Sequence, residues 1–232
     1  MKKKKKIVIF SGAGISAESG LDTFRDSGGL WANHDIEDVA TPNAWIKNKN
    51  LVLDFYNKRR KHAFNAKPNI AHSAIASLED NFEVQIITQN IDKLHERSGS
   101  SNVLHLHGEI DMVKSTGTNK IYKHGNKDVL NGDLCPDGYQ LRPHVVWFGE
   151  DVPNMNKAMS IISSADVLII TGTSLNVFPA SNIIFYAPKM SVKYLIDPSN
   201  VRIKDIDNLI VYKEKASVGI PKIVDKLLMG NI

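Results

Sequence analysis

The sequence contains a single cysteine, Cys135, among 232 residues. One thiol excludes an internal disulfide framework and any zinc site that is built from several cysteines, and it fits a reducing, intracellular setting. Long apolar runs are missing as well, since no stretch approaches the roughly 18 apolar residues of a membrane span. The apolar stretch at residues 7–10 is also shorter than the roughly 7–15 residues that a signal peptide needs. We therefore expect a cytoplasmic protein that does not bind a membrane.

An excess of charge of one sign is absent from most of the chain, although the formal net charge is +4. Five of the 29 basic residues are the lysines at positions 2–6, and the remaining 24 face 25 acidic residues. A nucleic-acid-binding protein carries its basic excess on a folded face. We therefore expect no nucleic-acid partner and interpret the lysine run as a solvated, disordered tail.

Short apolar runs alternate along the chain with helical patterns. Most of the runs are unbroken, which is typical of strands buried on both faces of a parallel sheet. The candidate strands are residues 7–10, 82–87, 103–106, 167–170, 192–196 and 209–212. One candidate helix follows Asn69, which can serve as its N-cap. The other candidate helices cover residues 90–98, 154–164, 179–186 and 217–229. This alternation predicts an α/β fold with a Rossmann-like, doubly wound parallel sheet.

Two segments break the alternation. Residues 26–64 are helical and aromatic without a strand signal, and residues 111–143 are polar with little periodicity. We predict that these two insertions form a second, smaller module beside a Rossmann-like domain of residues 1–25, 65–110 and 144–232. No linker is long enough to separate independent domains, and we expect a monomer.

A strand, a Gly-x-Gly turn and a helix start follow one another at residues 7–20. Gly12 and Gly14 permit a tight turn in which backbone N–H groups approach a pyrophosphate, and a helix N-terminus adds a partial positive charge. Taken alone, the pattern fits an ordinary tight turn equally well. Dehydrogenases of this fold place an acidic residue at the end of a second strand ~20 residues later. Here that distance reaches the aromatic insertion, which disfavours hydride transfer.

Several further blocks make the pattern specific. Residues 12–20 (GAGISAESG) are followed by TFR at 23–25, GLW at 29–31, TQNID at 88–92, HLHG at 105–108, FGE at 148–150 and GTS at 172–174, with Val177, Pro179 and Ala180. In this order the blocks closely resemble the sirtuins, which are NAD-dependent protein-lysine deacylases. The likeness extends from about residue 7 to residue 220 and is closest to a bacterial member of the desuccinylase type (class III).

The resemblance implies NAD as co-substrate and an acylated protein lysine as substrate. It assigns the cradle of the pyrophosphate to residues 12–14, the nicotinamide ribose to Gln89 and Asn90, and the nicotinamide carboxamide to Asp92. Asp197 and Ala216 match positions near the adenosine, although Leu195 stands where the family usually has Asn. The implied cofactor-binding residues are Gly12, Ala13, Gly14, Ala17, Thr23, Phe24, Arg25, Trp31, Gln89, Asn90, Ile91, Asp92, Gly172, Thr173, Ser174, Asp197 and Ala216.

The resemblance assigns the role of general base to His107. In the sirtuin mechanism the acyl-lysine carbonyl oxygen attacks the ribose carbon as nicotinamide departs. A neutral imidazole then takes a proton from a ribose hydroxyl, whose oxygen attacks the imidate. The implied products are deacylated lysine, nicotinamide and O-acyl-ADP-ribose. In the alternative interpretation of the His105-x-His107 pair, one imidazole points into the core and the other is a hydrogen-bonded surface residue.

Tyr56 and Arg59 match the Tyr-x-x-Arg pair of the desuccinylase-type sirtuins. Three residues apart on a helix, they share a face, and a phenol with a guanidinium can bind the carboxylate of a succinyl- or malonyl-lysine. The loop of Phe148, Gly149 and Glu150 is assigned to pairing with the substrate backbone. In the alternative interpretation, residues 59–61 form a solvated basic face and Tyr56 packs against Leu53.

The segment at 111–143 departs from the family, which usually places a zinc ribbon of two cysteine pairs there. Cys135 stands alone, and Ser115 lies near the position of a first-pair cysteine. One thiolate cannot form a closed zinc site, so we expect no structural zinc and no bound metal.

Other functions stay open from the sequence. One is a deacetylase without preference for acidic acyl groups. Another is a metal-dependent hydrolase using His105, His107 and His144, because a His-x-His pair can ligate a metal. A third is a non-catalytic sensor of NAD or ADP-ribose.

Overall fold

The computed structural model describes residues 4–23, 34–175, 179–199 and 206–230. Within these residues the strands are β1 (Lys6–Ser11), β2 (Glu83–Thr88), β3 (Val103–His105), β4 (Gly108–Ser115), β5 (Ile121–Lys123), β6 (Leu141–Val145), β7 (Val167–Thr171), β8 (Val192–Ile196) and β9 (Leu209–Tyr212). Six of them form a parallel sheet in the order β3-β2-β1-β7-β8-β9. All six predicted strands belong to this sheet, so the predicted Rossmann-like fold is confirmed.

The helices of the described residues are α1 (Gly14–Ala17), α2 (Ile36–Val39), α3 (Pro42–Lys47), α4 (Lys49–Asn65), α5 (Ile70–Ser77), α6 (Leu94–Arg97), α7 (Met155–Ile162) and α8 (Ala216–Leu228), with 3-10 helices at Leu78–Asp80 and Ala180–Tyr186. Helices α5 and α8 cover one face of the parallel sheet, and α7 with the second 3-10 helix covers the other. Because both faces are covered, the central strands can be apolar along their whole length.

Helix α5 begins as predicted at Asn69. The Asn69 side chain accepts a hydrogen bond from Ala71 N, and His72 Nδ1 accepts one from Asn69 N, which completes a capping box. Of two other helix predictions, the one at residues 90–98 is wrong and the one at residues 179–186 is confirmed as a helix of the 3-10 type. Residues 90–98 contain only the single turn of α6, because side chains of the preceding loop bond to the loop's own backbone instead of continuing a helix. Residues 180–186 form a 3-10 helix rather than an α-helix.

A second sheet lies beside the first, in the antiparallel order β5-β4-β6. Its strands include about a third of the polar segment at residues 111–143, in which the sequence shows little periodicity. The pairing of β4 with β6 is interrupted between Gly108 and Val113, and such an irregularity hides the regular alternation that would mark a strand. The sheet packs on α4 through a cluster that includes Trp45, Phe55 and Trp147. The predicted domain boundaries stay a prediction.

The lysine run at the start of the chain is partly folded. Lys6 is the first residue of β1, and its Nζ lies 2.7 Å from Ser164 Oγ. Lys4 Nζ donates to Asp80 O at 2.9 Å. The prediction of a disordered tail is therefore wrong for Lys4 and Lys6, although Lys4 is exposed to solvent as predicted. In the part of the chain that the structure describes, no helix is long and apolar enough to cross a membrane.

Candidate active site

A cavity of about 820 Å³ lies between the carboxyl ends of the parallel strands and the small module. Ligand sites of this fold class occur at such strand ends, and a volume of roughly 300–1,000 Å³ is typical for them. The sequence-predicted residues that line the cavity are Ala13, Gly14, Ala17, Thr23, Tyr56, Arg59, Gln89, Asn90, Ile91, Asp92, His107, Phe148, Gly149, Glu150, Gly172, Thr173, Ser174, Asp197 and Ala216. Gly12 is not in this lining. Phe24, Arg25 and Trp31 lie outside the described residues.

The glycines after β1 and β7 let two strand-end turns approach each other closely. A Cβ on Gly12 would lie 2.7 Å from Gly172 O, and one on Gly14 would lie 2.8 Å from Gly172 Cα. Gly172 itself has a φ of +62° and would place a Cβ 2.2 Å from Ile15 N. Side chains at these three positions would push the turns apart, so the glycines keep this end of the cavity in shape.

The backbone of the first turn is already engaged within the protein. Gly12 N donates to Thr171 O at 3.1 Å, and Gly14 N donates to Gly172 O at 2.8 Å. The helix that follows, α1, has only four residues, so its dipole is small compared with that of a longer helix. The turn therefore shapes the cavity more directly than it supplies N–H donors from its two glycines.

The loop after β2 brings polar side chains into the cavity beside this turn. Asn90 Nδ2 lies 3.2 Å from both Gly12 O and Ser16 Oγ. The Ser16 hydroxyl donates to Asp92 Oδ2 at 3.1 Å, and Leu94 N donates to Asp92 Oδ1 at 3.0 Å. Burial raises the pKa of Asp92, although these hydrogen bonds oppose the shift. The loop is thus preorganised by its own side chains.

Gln89 offers an unused donor to a ligand. Its Nε2 atom is buried without a hydrogen-bond partner among the described residues, and Gln89 is one of the residues that line the cavity. A buried donor without a partner is costly. A hydroxyl-rich ligand such as the ribose of NAD would satisfy it, so this residue fits the implied co-substrate.

His107 lines the cavity with one ring nitrogen already bonded. Its Nδ1 lies 3.0 Å from Gln89 O, and because a carbonyl only accepts, Nδ1 carries the proton. Nε2 is then the nitrogen with a lone pair. Burial lowers the pKa of His107, against a smaller opposing effect of the Gln89 carbonyl. At neutral pH the imidazole is therefore neutral and able to accept a proton at Nε2.

His105 has the opposite orientation and electrostatics. Its Nδ1 bonds to Asn90 O at 2.7 Å and its Nε2 to Glu96 Oε1 at 2.8 Å. Burial opposes a charge on this ring, but the hydrogen bond and charge of Glu96 outweigh it and raise the pKa of His105. The pair thus separates into a structural histidine, His105, which ends β3, and a cavity histidine, His107, which lies in the bend between β3 and β4. In a continuous strand, residues two apart would share a face, so the bend is what separates the two rings.

A buried polar chain lies beneath the turns. The Ser11 hydroxyl donates to Thr88 Oγ1 at 2.9 Å, and His95 Nε2 lies 2.9 Å from Ser11 Oγ. The rings of His72 and His95 meet edge to face with centroids 5.0 Å apart. Burial lowers the pKa of His72 to about 4 and that of His95 to about 3. Both rings are neutral at physiological pH, and Thr88 in turn accepts from Asn90 N at 3.1 Å.

Helix α4 brings Tyr56 and Arg59 to the opposite wall. Tyr56 is 1% exposed, and burial raises its pKa to about 12, so the phenol keeps its proton. The guanidinium carbon of Arg59 lies 5.9 Å from the Tyr56 ring centroid and 5.8 Å from that of Phe55. Burial lowers the pKa of Arg59. An arginine side chain nevertheless keeps its charge, because the pKa of a free guanidinium is very high. The wall therefore presents a phenol and a cation, and the interpretation as a solvated basic face is wrong for Arg59.

The loop after β6 forms the adjoining wall. Arg142 donates from Nη1 to Glu150 Oε1 at 2.7 Å and from Nη2 to Glu150 Oε2 at 2.9 Å. Glu150 Oε2 also accepts from Trp147 N at 2.8 Å, and the guanidinium carbon of Arg142 lies 3.5 Å from the Trp147 ring centroid. The Glu150 carboxylate thus shapes the loop that contains Phe148, whose N donates to Ala40 O at 2.9 Å.

The far end of the cavity lies after β8 and at the start of α8. Asp197 Oδ1 accepts from Ser199 N at 2.8 Å and from the Ser199 hydroxyl. Ala216 is the first residue of α8, and the Ser217 hydroxyl donates to Glu18 Oε1 at 2.8 Å. The Ser217–Glu18 bond joins the end of α1 to the start of α8, and the Asp197–Ser199 bonds hold the loop after β8.

Metal-ligating atoms approach one another at one place in the described residues. Glu96, His105 and Glu109 each offer one ligand atom within 4.8 Å of the others. Lys93 Nζ binds both carboxylates, at 3.0 Å from Glu96 and in direct contact with Glu109, so a lysine already occupies the position of a cation. In the degenerate zinc segment, the Cys135 thiol instead lies 3.3 Å from Ser115 Oγ.

Several cavity residues were not predicted from the sequence. They include Ser16, His62, Ile110 and Trp147. The spacing of His62, three residues after Arg59 on the same helix, could have indicated it. Ile110 and Trp147 reach the cavity through the small antiparallel sheet, for which the sequence offers little periodic signal.

Comparisons with known proteins agree with this geometry. The Sir2 family model matches residues 12–179. A Helicobacter pylori (strain J99) protein, named NAD-dependent protein deacylase, is 49% identical over 224 residues, which cover 97% of this chain and 96% of that protein.

Solved structures agree as well. A Sir2 homolog–NAD complex is 36% identical with a TM-score of 0.88, and the match covers 98% of this chain and 91% of that one. A Sir2 complex with deacetylated p53 peptide and 3'-O-acetyl ADP ribose is 26% identical with a TM-score of 0.80, covering 99% and 94%. The family model and the identity over nearly the whole chain lead to one conclusion: this chain belongs to the Sir2 family.

Proposed function

We propose that this chain is an NAD-dependent protein-lysine deacylase that removes succinyl and malonyl groups, and acetyl groups as well. The single observation that supports the reaction is the state of His107. A neutral imidazole with a bonded Nδ1 and an Nε2 lone pair lies in a cavity that is also lined by the predicted co-substrate residues and by Tyr56 and Arg59. A general base needs that protonation state and that orientation.

The residues on the sheet side bind the co-substrate. When bound, NAD supplies a ribose carbon to which the acyl oxygen is transferred as nicotinamide leaves; one water is consumed and the acyl group ends on ADP-ribose. Gln89 and Asn90 orient the ribose through their amides, and Asp92 faces the nicotinamide carboxamide. His107 accepts the proton of a ribose hydroxyl at Nε2. Because Gln89 O holds Nδ1–H, the ring does not need to turn between accepting and releasing that proton.

The residues on the module side bind the acyl group. Arg59 provides a charge-assisted hydrogen bond to a terminal carboxylate, and the protonated Tyr56 phenol provides a second donor. Inside a largely buried cavity such bonds are stronger than on the surface. An acetyl group lacks the carboxylate but fits the same space, so we expect acetyl-lysine to be a weaker substrate rather than an excluded one.

The alternatives are a deacetylase without acidic preference, a metal-dependent hydrolase and a sensor. The hydrolase is disfavoured because His107 and His144 are not in the cluster of ligand atoms found among the described residues. The sensor is disfavoured because the proposed base is neutral and accessible in the cavity. Protein substrates, a cytoplasmic location and a monomeric state remain part of the proposal.

The test is to incubate the protein with NAD and matched acetyl- and succinyl-lysine peptides, and to follow peptide and nucleotide products by mass spectrometry. We expect both peptides to lose their acyl groups only with NAD, with O-acyl-ADP-ribose as the product. His107→Ala should lower turnover by about 10²–10⁴-fold, while His124→Ala, at a histidine of the small module outside the cavity, should not. Full turnover by His107→Ala, or deacylation without NAD that EDTA abolishes, would reject the proposal.

A further inference from the structure

The two consecutive arginines of α4 point to different parts of the molecule. Arg59 lines the cavity, whereas Arg60 is 0% exposed and lies between α4 and the small antiparallel sheet. Burying a guanidinium is costly unless it is hydrogen-bonded. The proposed reaction uses Arg59 and assigns nothing to Arg60.

Arg60 bonds to one residue of β4 and to one residue of its own helix. Its Nε donates to Ile110 O at 2.9 Å, and its Nη1 donates to Asn57 Oδ1 at 2.6 Å. The Asn57 side chain in turn accepts from Val129 N at 2.9 Å and donates to Val129 O at 3.0 Å. Burial lowers the pKa of Arg60 to about 10, so it stays charged at neutral pH. Helix α4 is thus fixed to β4 and to the segment around Val129 through one guanidinium and one amide.

Ile110 connects this anchor to the catalytic side of the cavity. The carbonyl of Ile110 accepts from Arg60, while its amide N donates to Ile91 O at 2.8 Å. Both isoleucines line the cavity, and Ile110 lies three residues after His107. The two bonds therefore link α4, through one residue, to the loop that contains Asn90 and Asp92.

We propose that Arg60 is a positioning residue for the acyl pocket, because its hydrogen bonds to Ile110 and Asn57 set the place of Tyr56 and Arg59 relative to His107. The proposal rests on the proposed function. A charged acyl group must reach Arg59 at one end and the reacting centre at the other, so its binding depends on the distance between the two walls. Acetyl-lysine needs only the reacting centre, and a small displacement of α4 affects it less.

The experiment compares KM and kcat for succinyl- and acetyl-lysine peptides in wild type, Arg60→Lys, Arg60→Met and Lys61→Met. Arg60→Lys keeps the charge but has no fork to bond Ile110 and Asn57 together, and it remains usable if Arg60→Met does not fold. Lys61→Met removes the same charge from an exposed neighbour that pairs with Asp128. The double variants Arg59→Met/Arg60→Lys and Arg59→Met/Arg60→Met test whether Arg60 acts through Arg59.

We expect the Arg60 variants to raise KM for the succinyl peptide about tenfold more than KM for the acetyl peptide, and the excess to disappear in the Arg59→Met background. Lys61→Met should change neither KM. Equal changes for both peptides, or a lower melting temperature with an unchanged KM ratio, would mean a purely structural role and overturn the proposal. If the larger KM increase for the succinyl peptide persisted in the Arg59→Met background, that result would overturn the proposal as well.

Failure of the proposed function gives a different result. A wild type that releases no nicotinamide with either peptide rejects the deacylase function. A wild type that accepts only the acetyl peptide rejects the acidic-acyl pocket and, with it, the positioning role. A wild type that accepts both, with a KM ratio unaffected by Arg60→Lys, rejects the positioning role alone.

Discussion

The parallel sheet and the small module hold their sides of the cavity in different ways. Strands β1 and β7 contribute unbroken apolar residues with no exposed surface, and the polar side chains of that side come from loops at the strand ends. The small module instead contains buried or nearly buried cations, Arg60 and Arg142, each bonded to an amide or carboxylate partner and to backbone carbonyls.

This difference separates the two proposed specificities. Apolar burial stabilises the sheet without fixing any single polar contact, and the co-substrate loops rest on it. The small module lacks the cysteines of a zinc ribbon, so directional hydrogen bonds to two arginines contribute to its shape. Changes that remove or displace Tyr56 or Arg59 should therefore alter acyl selection, and changes beneath the sheet should alter stability with little effect on acyl selection.

Among the changes that separate the two sides of the cavity, the largest effect is expected on the acyl-binding side. Arg59→Met should lower kcat/KM for a succinyl-lysine peptide by about 10- to 150-fold, because a hydrogen bond to a charged group contributes ~1.5–3 kcal/mol. Deacetylation should be spared, as measured by mass spectrometry on matched peptides. Lys58→Met, which removes a neighbouring exposed cation paired with Asp54, is the matched control. Equal loss on both peptides would argue against the pocket.

A smaller effect on activity is expected from a change in the loop after β6, which forms the wall next to Arg59. Glu150→Gln keeps the shape of the side chain but leaves Arg142 without its bidentate carboxylate. We expect the free energy of unfolding in urea to fall by about 1–2 kcal/mol, after allowance for the partial exposure of the carboxylate. KM should rise for both peptides, since Trp147 and Phe148 line the shared part of the cavity. The exposed neighbour Asp151→Asn should leave both quantities unchanged; a similar loss there would refute the assignment.

The buried histidines beneath the parallel sheet should make the stability of the protein depend on pH. Burial holds the pKa values of His72 and His95 at about 4 and about 3, below the ~6.5 of an unfolded histidine. The unfolded state therefore binds more protons below pH 6.5, and stability falls as the pH drops towards 4. We expect the free energy of unfolding to fall by about 1 kcal/mol per histidine for each pH unit below 6.5.

Urea unfolding at pH 7.5 and 5.5 measures this loss. His105, with a raised pKa, contributes in the opposite direction, so the comparison needs a variant. His72→Gln should reduce the pH dependence, whereas the same change at His124 should not. A slope identical to that of wild type in His72→Gln would show that this buried pair is not the cause.

Removal of metal ions is expected to have no effect. Metal analysis of the purified protein should find no zinc, and EDTA should leave the melting temperature and both deacylations unchanged, because Cys135 is the chain's one thiol. One zinc per chain would contradict this prediction and would make the small module resemble the usual family architecture.

Much of the fold was readable from the sequence, since each predicted strand in the main sheet is an unbroken apolar run and needs no partner to be recognised. The missed strands, β4 to β6, have mixed polarity and an irregular pairing. The predicted helix at residues 90–98 failed for a related reason, because Asn90 and Asp92 bond to nearby backbone and side chains that only the folded turn brings together.

The sequence by itself determined the family resemblance, the six-stranded core and the identity of about half of the cavity residues, because motifs and apolar runs are local properties of the chain. Tertiary structure decided between the alternative interpretations that the sequence left open: His107 and Arg59 line the cavity, as the resemblance implied, whereas His105 and Arg60 are held by internal hydrogen bonds. It also decided the charge on each ring, since burial and the groups that meet it, such as Gln89 O or Glu96, come from distant parts of the chain. Those contacts exist only after the sheet and the module have packed together.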